Sequence, residues 1–86
     1  MKTVWKYELD PFSNLTDHKL PKDAAIVLVG NQGGQHCIWV ALDPEAEKVK
    51  RRFQISGTGH PIDSAAIHLG SFQEDVFVWH VWELPA

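Results

Sequence analysis

The sequence has few of the features that mark several common protein classes. Its 86 residues include a single cysteine, Cys37, which excludes an internal disulfide and indicates a reducing compartment. No apolar run approaches the roughly 18 residues of a membrane span. The N-terminus also lacks the apolar run of about 7–15 residues that a signal peptide requires. We therefore expect one intracellular domain over residues 1–86 and no membrane partner.

Basic residues are also scarce. Eight Lys and Arg stand against eleven Asp and Glu, giving a net charge of -3. General nucleic-acid binders need a clustered cationic excess, so that class is not expected. One basic cluster exists, Lys48–Arg52, and Glu45 and Glu47 precede it. A solvated strand edge is favoured there, and an anion site is the open alternative.

Tryptophan, by contrast, is abundant. A domain of this length buries only about 60% of its unfolded surface, so its core is thin, whereas each large aromatic side chain buries roughly 150–250 Å². These side chains either supply much of the core or face a partner, and their surplus favours a homo-oligomer. The four tryptophans are Trp5, Trp39, Trp79 and Trp82.

Alternating or wholly apolar segments predict strands rather than helices. Segment 61–66 is either a short helix or an irregular crossing, and Gly70 and Ser71 form a bend. The predicted fold is all-β, or β-rich α+β: a small antiparallel sandwich or partly open barrel of five to seven strands. The predicted strands are 3–9, 12–20 as an edge strand, 25–29, 36–42, 48–56, 66–69 and 76–84.

Other parts of the sequence predict how the strands connect and pack. Residues 30–34 are glycine-rich and predict a hairpin loop. Segments 37–42 and 76–84 are both apolar on both faces. The first is predicted to be a central strand, covered on both sides by sheet, helix or another subunit, and the second is the strongest strand signal in the chain. Arg51 falls on the apolar side of its strand, so we expect it to snorkel at the margin or pair with a carboxylate.

A glycine-rich turn follows the fifth predicted strand. Gly57 and Gly59 permit backbone angles at which consecutive amides hold an anion, while Thr58 and His60 add side-chain hydrogen bonds. The alternative is a plain turn at a strand end. The loop lacks the third glycine of a dinucleotide fingerprint and the lysine of a P-loop, and Pro61 prevents a following helix.

Metal and catalytic signals are weak. The five histidines lack the tight spacing that lets one element present paired ligands, so we expect no metal and no cofactor. Cys37 lies in a predicted central strand, where a thiol is inert. His60 and Asp63 form at most a lone acid/base pair. We expect a protein that is not an enzyme.

Four segments are distinctive: MKTVWKY at the start, CIWVALDPEAEK in the middle, the GTGHPI loop and VWHVWE near the end. Together they resemble a family of small bacteriophage and prophage proteins without an assigned function. The resemblance implies an accessory protein made in the host bacterial cytoplasm. Several accessory phage proteins of this size are anti-defence proteins, including oligomeric sponges for nucleotide immune signals.

Two hypotheses follow. In the first, the chain sequesters a nucleotide-type immune second messenger, such as a cyclic oligonucleotide or an ADP-ribose derivative, without cleaving it. The glycine amides and an arginine hold phosphate, the loop side chains orient the ligand, and a tryptophan stacks on a base. In the second, an aromatic surface inhibits a host enzyme; a structural or minor virion role stays open. The expected ligand-binding residues are Arg52, Gly57, Thr58, Gly59, His60 and Trp82.

Overall fold

The computed structural model of the protein describes residues 1–85, which form seven β-strands and no helix. Within these residues, no helix is long and apolar enough to cross a membrane. The seven strands lie at the upper end of the predicted number. Their bounds are β1 (Thr3–Glu8), β2 (Leu15–Pro21), β3 (Ala25–Gln32), β4 (Gln35–Leu42), β5 (Lys48–Gly57), β6 (Ile67–Glu74) and β7 (Phe77–Leu84).

The strands form two antiparallel sheets. The first has the order β1-β4-β3 and the second the order β2-β5-β7-β6. The all-β prediction is confirmed, and of its two architectures the structure is the sandwich. β4 is an interior strand and β2 an edge strand, both as predicted. β7, the other segment that is apolar on both faces, is also an interior strand.

The core lies between the inward faces of the sheets. On β4 the alternate residues Ile38, Val40 and Leu42 are almost fully buried, and Phe53 of β5 is completely so. No tryptophan belongs to this buried set; Trp5 is 43% exposed and the other three are partly buried. The thin interior therefore holds aliphatic side chains and Phe53, while the indoles lie at its margins and on the outer faces.

The sheets approach most closely where β3 packs on β6. A Cβ built at Gly70 would lie 2.5 Å from Cγ2 of Val29, so only glycine fits at this contact. The predicted strand 66–69 with a bend at Gly70 and Ser71 is wrong. A single strand runs from 67 to 74, and the pairing with β7 shifts register between His68 and Gly70. A β-bulge bends a strand without ending its ladder, which explains the error.

The hairpin loop at 30–34 is shorter than predicted. β3 continues to Gln32 and β4 begins at Gln35, leaving Gly33 and Gly34 as a two-residue turn with φ of 60° and 84°. Positive φ at both central residues is the requirement of a type I′ turn. Segment 61–66 is the irregular crossing, closed by a hydrogen bond from the Ala66 amide to the Asp63 carbonyl at 3.0 Å.

Arg51 points toward the sandwich interior and pairs with a carboxylate, one of the two predicted outcomes. Its Nε and Nη2 donate to Glu83 at 2.6 and 2.7 Å, and Nη1 donates to the Ala24 carbonyl at 2.6 Å. The hydrogen bonds with Glu83 raise the pKa of Arg51 above its ordinary value. The charge is therefore fully compensated where the sheet margin buries it.

The outer face of the first sheet carries no further sheet or helix from the described residues, so within one subunit β4 is covered on its inner side only. Cover of the outer side by a neighbouring subunit stays a prediction. Cys37 is nevertheless 0% exposed. Lys6 on β1 donates to Gln32 on β3 at 2.8 Å, and this bond spans the strand that carries the thiol. Burial, as the largest effect, raises the pKa of Cys37.

Candidate functional site

The loop after β5 is a tight turn. The His60 amide donates to the Gly57 carbonyl at 3.1 Å, and Gly59 has a φ of 90°. A positive φ at the third residue of a hydrogen-bonded turn is the geometry of type II, which requires glycine there. The His60 amide is used within the turn and is not available to an anion.

A pocket of about 380 Å³ opens beside this turn. We call it the loop pocket. Gly57 shapes it, because a Cβ at this position would lie 3.3 Å from the His60 ring and 3.6 Å from Trp79. The volume falls in the range of small-molecule sites. The lining residues are Gly57, Thr58 and His60 on the loop side and Val76, Phe77, Val78 and Trp79 on the β7 side.

The β7 wall of the loop pocket is aromatic. Phe77 and Trp79 lie at alternate positions of the strand, and their rings stack with centroids 5.7 Å apart and an angle of 30° between planes. Trp79 also packs on His36 at 5.5 Å. The indole Nε1 of Trp79 is buried and has no hydrogen-bond partner. The wall therefore offers a flat π surface to a planar ring.

A chain of side-chain hydrogen bonds runs from the pocket across the outer face of the second sheet. Thr58 Oγ1 lies 3.0 Å from His80 Nε2, and His80 Nδ1 lies 2.7 Å from Ser71 Oγ. Ser71 Oγ in turn lies 3.0 Å from His68 Nε2. We call these four residues the histidine relay. Its geometry follows from strand register, which sets Ser71 directly opposite His80.

The histidine relay can run in either of two directions, because which ring nitrogen of each histidine carries the proton depends on the tautomer. The Ser71 hydroxyl has one proton, so it donates to one imidazole and accepts from the other. When His68 donates to Ser71 and Ser71 donates to His80, Nε2 of His80 donates to Thr58. The Thr58 hydroxyl then keeps its own proton for a ligand. In the opposite direction Thr58 donates to His80 Nε2, and its oxygen remains free to accept. Because Thr58 also lines the loop pocket, its hydroxyl offers the pocket edge a donor in the first arrangement and an acceptor in the second.

Trp82 lies beside the histidine relay and not in the loop pocket. Its ring packs on His68 at 4.9 Å, and its Nε1 donates to Ser56 Oγ at 3.1 Å. The pocket tryptophan is Trp79, which sequence reasoning did not select. The pairing of Trp79 with Gly57 across β5 and β7 decides this, and the sequence alone does not reveal that register.

Arg52 lies away from the loop pocket as well. It precedes Gly57 by five residues on β5, about 17 Å at the usual strand rise. Its Nε and Nη2 donate to Asp17 at 2.7 and 3.1 Å. The hydrogen bond from Arg52 lowers the pKa of Asp17. The predicted site therefore divides: Gly57, Thr58, Gly59 and His60 form the turn beside the pocket, and Arg52 and Trp82 occupy the sheet face.

Comparison with known proteins gives a family. The sequence model of the family described as "Domain of unknown function (DUF7352)" matches residues 1–86. The chain belongs to this family. Neither the curated proteins nor the solved structures include a match.

The function of this DUF7352 domain is therefore inferred from its geometry. Among residues 1–85, no group of three or more His, Cys, Asp or Glu side chains is placed to hold a metal ion. The chemistry that the arrangement offers is stacking against Phe77 and Trp79, together with hydrogen bonding from Thr58 and the imidazoles. That combination suits a ligand with a flat ring and attached polar groups.

Proposed function

We propose that this DUF7352 protein binds a nucleotide-type ligand in the loop pocket and holds it without cleaving it. The observation that carries the proposal is the double placement of Thr58, which lines an aromatic pocket and also ends the histidine relay. A nucleotide has the matching parts: a planar base, and hydroxyl or phosphate oxygens that accept hydrogen bonds.

The base would stack on the Phe77 and Trp79 wall. Stacking between a base and an aromatic side chain contributes about 1–3 kcal/mol and tolerates different bases. Phe77 is 57% exposed, so its face is accessible before a ligand arrives. The pocket therefore supplies affinity for a ring without dictating which base it is.

The polar part of the ligand would meet Thr58 and the imidazole of His60. The His60 side chain has no hydrogen-bond partner among the described residues, and it lines the loop pocket. Thr58 is held in place by His80. These groups would orient the sugar or phosphate and favour a nucleotide over a bare aromatic compound.

In this proposal the protein retains its ligand without cleaving it, and the Cys37 thiol takes no part in binding. It is buried on β4 with a raised pKa, which keeps it protonated, and it does not line the loop pocket. The protein would then act by sequestration. As a phage accessory factor in the host bacterial cytoplasm, it would lower the free concentration of an immune second messenger, and self-association would multiply the sites.

Isothermal titration calorimetry against cyclic di- and trinucleotides and ADP-ribose derivatives tests the proposal. Phe77→Ala should weaken binding by about 5- to 150-fold. Phe12→Ala changes another exposed phenylalanine, one that does not line the pocket, and should leave binding unchanged. Thr58→Val removes the hydroxyl at nearly constant volume, and Thr3→Val is its control. No binding across the panel removes the proposal, and recovery of hydrolysed ligand by chromatography contradicts sequestration.

A second candidate is a protein-interaction module that inhibits a host enzyme. The outer face of the first sheet favours it, because Val4, Val27 and Leu28 are 53%, 55% and 57% exposed, around a partly buried Trp39. Exposed apolar groups that cluster mark interaction sites. Affinity purification with Leu28→Asp and Thr58→Val separates the two functions. Loss of a captured enzyme with Leu28→Asp alone supports the second candidate.

A further inference from the structure

Half of the cations in the chain lie on one face of the second sheet. Lys48, Lys50 and Arg52 occupy successive outward positions of β5, and Lys19 of β2 is directly opposite Lys50. These are four of the eight Lys and Arg residues in a chain with a net charge of -3. We call the four residues the cation row. In an acidic protein these few cations could be spread over the whole surface. Their clustering on one sheet face therefore requires an explanation.

The register of the cation row is unfavourable by itself. Like charges directly opposite each other across an antiparallel pair destabilise the sheet. Among the outward positions of β2 and β5, Asp17 is the only carboxylate. It accepts two hydrogen bonds from Arg52 and lies 3.5 Å from Lys50 Nζ. Lys19 and Lys48 have no ion-pair partner in the described part of the chain.

We propose that the cation row binds a ligand with several phosphate groups, either an oligophosphate or a phosphodiester chain. Alternate residues of a strand lie about 7 Å apart, so the row presents successive charges along a line, and a single phosphate would engage only part of it. Bound phosphates remove the repulsion between Lys19 and Lys50. Lysine ammonium groups bind phosphate as point charges without fixed geometry.

The cation row is a separate site from the loop pocket. Arg52, its nearest member, lies about 17 Å from Gly57 along β5. The cation row is inferred from charge and strand register, and the proposed function does not depend on it. A ligand long enough to reach both sites would connect them across Trp82 and the histidine relay, which occupy the same sheet face.

Titration of the purified protein with two probes tests this site: inorganic tripolyphosphate by calorimetry, and a fluorescein-labelled single-stranded tetranucleotide by anisotropy. Lys50→Ala and Lys19→Ala should each weaken binding by about fivefold. For the tetranucleotide, each should also reduce the slope of log affinity against log salt by about 0.7. Lys2→Ala makes the same change in net charge at a remote position and should leave binding within twofold.

The outcomes are distinct. Binding of tripolyphosphate that Lys50→Ala weakens supports a compact oligophosphate, and binding of the tetranucleotide alone supports a phosphodiester chain. Binding of neither probe overturns the site, and so does an equal loss with Lys2→Ala, which would indicate net charge alone. Melting temperatures of Lys19→Ala and Lys50→Ala should equal or exceed that of the wild type. Thr58→Val should not change tripolyphosphate binding, so the two proposals fail independently.

Discussion

Replacing Gly70 by alanine should destabilise the protein through one steric contact. The added Cβ would lie 2.5 Å from Val29 Cγ2 and 3.6 Å from its Cβ and Cγ1. Val29 is 8% exposed and packed in the core, so it has little room to move. The φ of Gly70 is not positive, so alanine meets no backbone penalty. The loss of stability in Gly70→Ala therefore measures how closely β3 and β6 pack together.

The size of the effect follows from two opposing contributions. Overpacking a core typically costs about 1–3 kcal/mol. Alanine also reduces the conformational entropy of the unfolded chain, which offsets about 0.4–1 kcal/mol. We expect a net loss of about 1–2 kcal/mol in the free energy of unfolding. For a domain of this size, each kcal/mol lowers the melting temperature by about 4–8 °C.

Urea and thermal unfolding of Gly70→Ala, Val29→Ala and the double variant measure this contact. Val29→Ala removes the atom that clashes, so the double variant should be at least about 1 kcal/mol more stable than the sum of the single changes. Gly30→Ala is the control, because its Cβ would lie 3.8 Å from Trp39, an ordinary contact. The reasoning would be refuted if the effects of Gly70→Ala and Val29→Ala on the free energy of unfolding were additive. It would also be refuted if Gly70→Ala and Gly30→Ala lost the same stability.

Three other predictions follow from the charged and thiol groups. Glu83→Gln should lower stability by about 2 kcal/mol, because it leaves the Arg51 guanidinium, whose side chain is 20% exposed, without its anion; an unchanged urea midpoint would count against this. Cys37 should react with a thiol reagent only in denaturant, and rapid reaction of the native protein would show that its cover opens. The pKa of Asp17 is held below its ordinary value by Arg52, so its stabilising contribution is present above about pH 3.9 and is lost as the pH falls through the lower folded-state value. An NMR titration midpoint at or above 3.9 would contradict it.

Much of the fold could be predicted because each strand carries its own pattern. β4 and β7 are apolar on both faces and proved to be interior strands. The alternation of apolar and polar residues along β5 predicts that Arg51 points inward and Arg52 outward. Local hydrophobic period and turn residues contain this information. They do not report which residue lies opposite which on a neighbouring strand.

The candidate site was harder to predict, because cross-strand register assembles it. Trp82 was chosen for the pocket, but the pairing of β5 with β7 sets Trp79 opposite Gly57. The histidine relay was missed because Ser71 was assigned to a bend. Only the bulge between His68 and Gly70 keeps β6 paired with β7 through Ser71 and so brings Ser71 to His80. No local signal distinguishes that bulge from the end of a strand.

The most direct test of the account is a ¹⁵N–¹H spectrum of the protein titrated with the nucleotide that binds most tightly in calorimetry. We expect the largest shifts at the amides of residues 57–60 and 76–79. The indole Nε1–H of Trp79 should shift with them, and Thr58→Val should reduce these changes. Shifts confined to Leu28 and Trp39 on the outer face of the first sheet, with the loop pocket unaffected, would contradict the proposed site.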